Sequence, residues 1–158
     1  LVANPNLESL EFKEISSSKA VETLAQNLKE MPKLNSLKIH FRLENPDILH
    51  ALFATLEEKK TLRTISLHFN EEMIIDNNNL ANLSKMIRGL EELHTIELTF
   101  KNANEGDAEG MKDLMKTIVS RVELNAFSLH VATCKGFDSD ALEEITKGLA
   151  NMKKLTRL

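Results

Sequence analysis

Tryptophan and tyrosine do not occur in the 158 residues, and seven phenylalanines carry all the ring content. Trp and Tyr head the residue types that dominate interface energetics, so a surface built on large amphipathic aromatics is excluded. A single cysteine, Cys134, excludes an internal disulfide framework and fits a reducing compartment. No histidine stands near it in sequence and no motif surrounds it, so a buried or spare thiol is expected rather than a nucleophile. Three prolines and five glycines exclude collagen-like and low-complexity chains. A phosphate-binding glycine loop, an HExxH pair and a nucleophile elbow are all missing from the sequence. No apolar run approaches the ~18 residues of a spanning helix. The start of the chain does not read as a secretory signal either. Twenty Lys and Arg against 24 Asp and Glu give a net charge of −4, so no basic field favours nucleic acid or anionic lipid.

What the chain does have is leucine, at 25 positions. The leucines fall into a recurring phrase: apolar, two variable residues, then apolar residues at every second position. It reads Leu7-Glu8-Ser9-Leu10-Glu11-Phe12, then Leu34-Asn35-Ser36-Leu37-Lys38-Ile39-His40-Phe41. Further copies open at Leu62, Leu93 and Leu124, and a partial one at Leu155. Successive leading leucines are 27, 28, 31, 31 and 31 residues apart.

Alternate residues of a strand share one face, so each phrase predicts a short strand with an inward apolar side. Between phrases the period becomes helical, as at Val21, Leu24, Ala25 and Leu28 or Leu49, Leu52, Phe53 and Leu56. Leu80, Leu83, Ile87 and Leu90 form a comparable stripe, as do Leu142, Ile145 and Leu149. Met111, Leu114 and Ile118 mark a further helix, with Asp107 as its expected cap. Asn45 before Pro46 reads as a helix start, and Asp140 with Glu143 has capping-box spacing. A unit of one strand and one helix cannot close a core alone and must lean on its neighbours. Strands repeat at ~4.8 Å while helices need ~10 Å, so the strands would line the inner side of a bent stack and the helices its outside.

On these residues the chain resembles the leucine-rich repeat family, of the helix-containing, ribonuclease-inhibitor-like kind. The resemblance implies a right-handed α/β solenoid with a curved parallel sheet inside and helices outside. It covers residues 1–158 as a single segment. The ends fall inside repeats and Leu1 replaces an initiating Met, so an excerpt of a longer array is expected. The sequence departs from the family at the turn after the strand, where Asn or Cys is usual. Ile15, Arg42, Asn70, Lys101 and Ala132 stand there, and only Asn70 fits. Phe41, Phe69, Phe100 and Val131 precede them, so a stacked phenylalanine column is expected in place of an asparagine ladder. The turn amides would then pair with water or neighbouring main chain.

Outward strand residues would form columns across the open sheet face, and these are the candidate protein-binding residues. One column holds Ser36, Thr64 and Thr95, flanked by Ser9, Ala126 and Arg157. A second holds Lys38, Ser66, Glu97 and Ser128, with Glu11 beside Lys38. A third holds His40, His68, Thr99 and His130, with Lys13 at its start. Phe12, Phe41, Phe69, Phe100 and Phe127 are expected to point inward. His40 and His68 would stand ~5 Å apart on adjacent strands, near enough to share a metal or form a pH-sensitive patch. Zinc needs three or four convergent ligands, and Thr99 interrupts the column, so solvent-exposed histidines are expected and no metal.

Glu71, Glu72, Asp76, Glu105, Asp107, Glu109, Asp138 and Asp140 read as helix caps and first-turn acids rather than an acidic rim for a basic partner. Asp138-Ser139-Asp140 lacks the glycine and distal glutamate of a calcium loop. Met73-Ile74-Ile75 is expected to tuck under the stack. Asn82-Leu83-Ser84 reads as a chance glycosylation sequon on a helix, and Glu57-Glu58-Lys59-Lys60 as a solvated helix end.

The expectation for function is a non-enzymatic protein–protein interaction module. The resemblance implies an intracellular scaffold, adapter or sensor array, cytoplasmic or nuclear. Its partner would be another protein, with flanking repeats of the same chain, and no cofactor, nucleic acid or membrane. Two alternatives stand beside it: a regulator such as a GTPase activator, with Arg42 stabilising phosphoryl-transfer charge, and a purely structural spacer.

Overall fold

The computed structural model describes residues 4–101, 108–132 and 137–158. Strand and helix alternate throughout: β1 (Ser9–Ile15), α1 (Ser18–Lys29), β2 (Ser36–Phe41), α2 (Leu49–Glu57), β3 (Thr64–Phe69), α3 (Asn77–Gly89), β4 (Thr95–Phe100), α4 (Ala108–Val119), β5 (Ala126–Val131) and α5 (Ser139–Leu149). The five strands form one parallel sheet in sequence order, β1-β2-β3-β4-β5. Helices pack on helices in the same order. A last bridge joins Ala126 to Arg157, so the partial phrase at Leu155 does begin to pair.

Local chemistry explains where each helix starts. Ser17, Asn45, Asp76 and Asp138 are extended residues whose side-chain oxygens accept backbone N–H groups of the following turn. Each such cap stabilises by about 1 kcal/mol. Asn45 begins a single 3-10 turn, Pro46–Ile48, which leads into α2. The cap of α5 is Asp138, bonded to the amides of Asp140 (3.0 Å) and Ala141 (3.1 Å), not Asp140 as its capping-box spacing predicts. The buried face of this helix also differs from the expected stripe: Ala141 and Ile145 face the core, and Leu142 is 51% exposed instead of buried. Asp107, Glu105, Cys134 and Leu1 lie outside the described residues.

The core runs unbroken between the two layers. Leu34, Leu62, Leu93 and Leu124, which lead the phrases, are fully buried. Phe41 stacks on Phe69 with ring centroids 5.6 Å apart, and Phe69 on Phe100 at 5.1 Å, so the expected phenylalanine column is present. The turn amides that an asparagine ladder would serve find main chain instead. Arg42, Asn70, Lys101 and Ala132 N–H groups donate to the carbonyls of Ile15, Phe41, Phe69 and Phe100, at 2.9, 3.1, 3.2 and 2.9 Å. At the other end of each strand one carbonyl accepts two amides. Glu8 receives Asn35 and Ser36, Asn35 receives Arg63 and Thr64, Arg63 receives His94 and Thr95, His94 receives Asn125 and Ala126, and Asn125 receives Thr156 and Arg157.

Four expectations need correction here. β1 carries an irregularity between Phe12 and Ile15, so Ile15 pairs with Phe41 and continues the phenylalanine column, while Lys13 loses simple register with His40. Phe12, on the outermost strand, is only partly buried. The run Glu57–Lys60 is structural rather than merely solvated. Lys59 Nζ donates to the carbonyls of Lys29 and Met31, and Lys60 Nζ to that of Gly89 at 2.6 Å. Arg121 closes the end of α3 in the same way, through the carbonyls of Leu90 and Glu91. Cations thus meet the orphan carbonyls and negative dipole end of helices in adjacent units. Met73 and Ile75 are buried as expected, whereas Ile74 between them is 45% exposed.

Glycine also joins the outer layer. A Cβ on Gly89, Gly110 or Gly148 would collide with Glu57, Asn77 or Val119 of the preceding unit, so these glycines serve close helix approach.

Candidate functional site

Helices cover one face of the sheet, and the polar columns lie on the other. Registration is strict from β2 to β5: Ser36, Thr64, Thr95 and Ala126 align, as do Lys38, Ser66, Glu97 and Ser128, then His40, His68, Thr99 and His130. All eleven candidate residues therefore share one surface. Their exposure is uneven. Ser128 and His130 are exposed, while Ser36, Lys38, His40, Thr64, His68, Thr95 and Glu97 are half-buried. Ser66 and Thr99 keep only 4% and 8% exposure, so the centre of the face is a closed polar layer rather than a solvated row.

The reason is a network that crosses three strands. The His40 and His68 rings lie face to face, centroids 4.1 Å apart. His68 Nε2 stands 2.9 Å from Ser66 Oγ, and Ser66 Oγ stands 2.7 Å from Glu97 Oε2. Ser66 has one hydroxyl hydrogen, and a carboxylate oxygen accepts it. The bond to His68 then runs the other way, Nε2–H donating to Ser66 Oγ, which leaves Nδ1 as the basic nitrogen. A serine activated as a nucleophile must donate to its base, so this polarity is opposite to that of a Ser–His catalytic pair. Burial holds the His68 imidazole below its ordinary value, with His40, Lys38 and Lys101 acting in the same direction and Glu97 against. The expectation of solvent-exposed histidines holds for His130 alone in this column.

Where the strands end, a shallow depression of about 400 Å³ opens beside this network. His40, His68 and Thr99 lie on its strand side, with Lys13, Lys101, Glu14 and Arg42 around it. Arg42 is engaged: its guanidinium meets Glu72 through Nε–Oε2 at 2.8 Å and Nη2–Oε1 at 3.1 Å. The hydrogen bond to Glu72 raises Arg42 above its ordinary value and lowers Glu72 below its own. Among the described residues no group of three or more His, Cys, Asp or Glu side chains converges as a metal site would require.

A second depression, of about 540 Å³, lies between α3 and α4. Arg88 and Lys116 face Glu109 and Asp113 there, and Asp113 pairs with Lys116 at 3.6 Å. Ser84 beneath it is buried, its hydroxyl without a partner. The Asn82 sequon therefore has its serine in the core of the helix layer. Among the described residues no helix is long and apolar enough to cross a membrane.

Among the described residues the sheet order has no reversal, so they form none of the switch-point crevices where doubly wound α/β proteins hold nucleotides. Fold and site together define an α/β protein of five parallel strands alternating with helices, with an open polar sheet face. No protein-family model matches the chain, and no curated protein does.

Proposed function

We propose that the chain is a segment of a leucine-rich-repeat solenoid that recognises another protein through its open sheet face and catalyses no reaction itself. One observation carries the reading. Three successive in-register pairings, from β2 to β5, hold unlike side chains in straight columns on a framework fixed from behind by a continuous core. Such a frame lets each position vary without disturbing its neighbours, which suits a recognition surface. Ser66 donates away from His68, which favours a structural hydroxyl over a catalytic one. The Arg42–Glu72 clamp likewise favours passive binding over an arginine reaching into a GTPase. By this reading the protein acts as an intracellular scaffold, adapter or sensor within a longer array.

The test uses the chain as bait beside a Lys38→Glu, His130→Glu variant whose circular dichroism and melting temperature match. Proteins held by the native face and depleted on the variant support the reading. Identical captured sets overturn it in favour of a spacer.

A further inference from the structure

We propose that the His40–His68 stack is a proton-operated clasp on the sheet face. The pair stays closed with one proton and parts when both rings carry one, His40 swinging into the depression at the strand ends. Acidification then releases a partner seated on this face. The release rests on the protein-binding reading above, whereas the motion of the rings does not.

Register gives the first argument. Among the outward pairs from β2 to β5, His40 and His68 alone set two like titratable side chains directly opposite each other. Glu11 and Lys38, opposed on β1 and β2, have opposite signs. The two rings lie face to face, 4.1 Å apart and 15° from parallel. One proton leaves a neutral ring beside a charged one, with no like charges in contact. Two protons set like charges together in a half-buried place, where water screens them poorly. The second proton therefore binds at much lower pH than the first, and the rings relieve the strain by separating.

The way each ring is held gives the second argument. His68 is tied through Nε2 to Ser66, and Ser66 to Glu97 on the next strand. A proton added at its Nδ1 leaves that chain intact. The His40 side chain makes no hydrogen bond or ion pair among the described residues, and its ring borders the depression of about 400 Å³. His40 is thus the ring free to move, with room beside it. The walls there are mixed, Glu14 and Glu71 against Lys13, Lys101 and the clamped Arg42. Distance and water, not a chosen counter-ion, take up its charge. Its departure bares one face of the His68 ring in the middle of the polar columns, so a partner fitted to the closed stack loses that fit. The charged groups around the pair are Glu11, Lys13 and Glu14 on β1, Lys38 on β2, and Arg42 with Glu72. Glu71 after β3, Glu97 on β4, Lys101 beyond it and His130 on β5 complete the set.

NMR of the histidine rings in the native protein, from about pH 8 down to about pH 4.5, is the test. His40 and His68 are expected to titrate in two steps at least about one pH unit apart. Cross-peaks between the rings should vanish with the second step. His40→Gln removes the like charge and should raise the His68 midpoint by roughly one pH unit. His130, exposed on the same column, should titrate alike in both proteins. Coincident single steps, or cross-peaks that outlast the second step, overturn the proposal. So does an unmoved His68 midpoint in the variant, or unfolding by circular dichroism before the rings part. Partner capture separates the two readings. Proteins held at about pH 7.5 should be released at about pH 5, below the ordinary histidine range. If the rings part while capture never depends on Lys38 and His130, the protein-binding reading falls and the clasp stands. If capture depends on those residues yet is equal at both pH values, the release is overturned and the protein-binding reading stands.

Discussion

Lys59 reaches from the end of α2 into the preceding unit, where its Nζ lies 3.2 Å from the carbonyl oxygen of Met31 and 3.4 Å from that of Lys29. It closes the C-terminal end of α1 from outside, and partial burial holds its ammonium below the ordinary lysine value. Lys59→Met keeps the apolar stem and removes the donors. It is expected to cost about 0.5–1 kcal/mol, the range for a hydrogen-bonded cation at a helix end near solvent. Urea unfolding measures it, and an unchanged midpoint would mean that water serves these carbonyls equally well.

Phe69 stands in the middle of the ring column, 2% exposed, with Phe41 on one side and Phe100 on the other. Phe69→Ala should destabilise by about 3–5 kcal/mol, the range for an aromatic removed from a core that cannot fully collapse. A loss below ~1 kcal/mol would show that the column is not a packed part of the fold.

The pH dependence of stability follows from His68. Its folded value lies below the ordinary 6.5, first because of burial and then because of His40. The unfolded chain then binds more protons, so this contribution is complete above that ordinary value and is lost as pH falls toward the folded one. Melting temperatures taken from about pH 7.5 down to about pH 5 should decline through this window. His68→Gln should remove that part of the slope, and an unaltered slope would assign it to other groups.

Gly148 of α5 lies against Val119, and a Cβ there would overlap the valine side chain. Helix propensity favours alanine over glycine by roughly 1 kcal/mol, whereas overpacking costs about 1–3 kcal/mol. The clash should win in Gly148→Ala, and because the nearest atom is the Val119 Cβ itself, the substitution should cost less in a Val119→Gly background, which removes that atom. Equal costs in the two backgrounds would refute the contact.

Much of the fold was legible because its signals are local. Leu37, Ile39 and Phe41 alternate over one strand, and the leading leucines recur whatever happens between them. The columns follow from that recurrence, which sets Lys38, Ser66 and Glu97 side by side. The irregularity in β1 was harder to read, although Glu14 standing where a phenylalanine was due, with Ile15 next, is its trace. Burial of Ser66 was not legible at all, since it depends on Glu97 and His68 closing over it from 31 and 2 residues away. The role of Lys59 is hidden for the same reason: a charge run says nothing of carbonyls 28 and 30 residues distant.

Each strand enters the sheet with two amides caught by one carbonyl of its predecessor, from Glu8 through to Asn125. A slip by one residue would break both bonds at that latch and turn the oily side chains outward. The latch fixes alignment at the point of entry, so the connecting segments are free to differ in length. The units lengthen from 27 to 31 residues without any side chain of β2 to β5 leaving its column. Insertions can accumulate beside the polar face while its lettering stays in line.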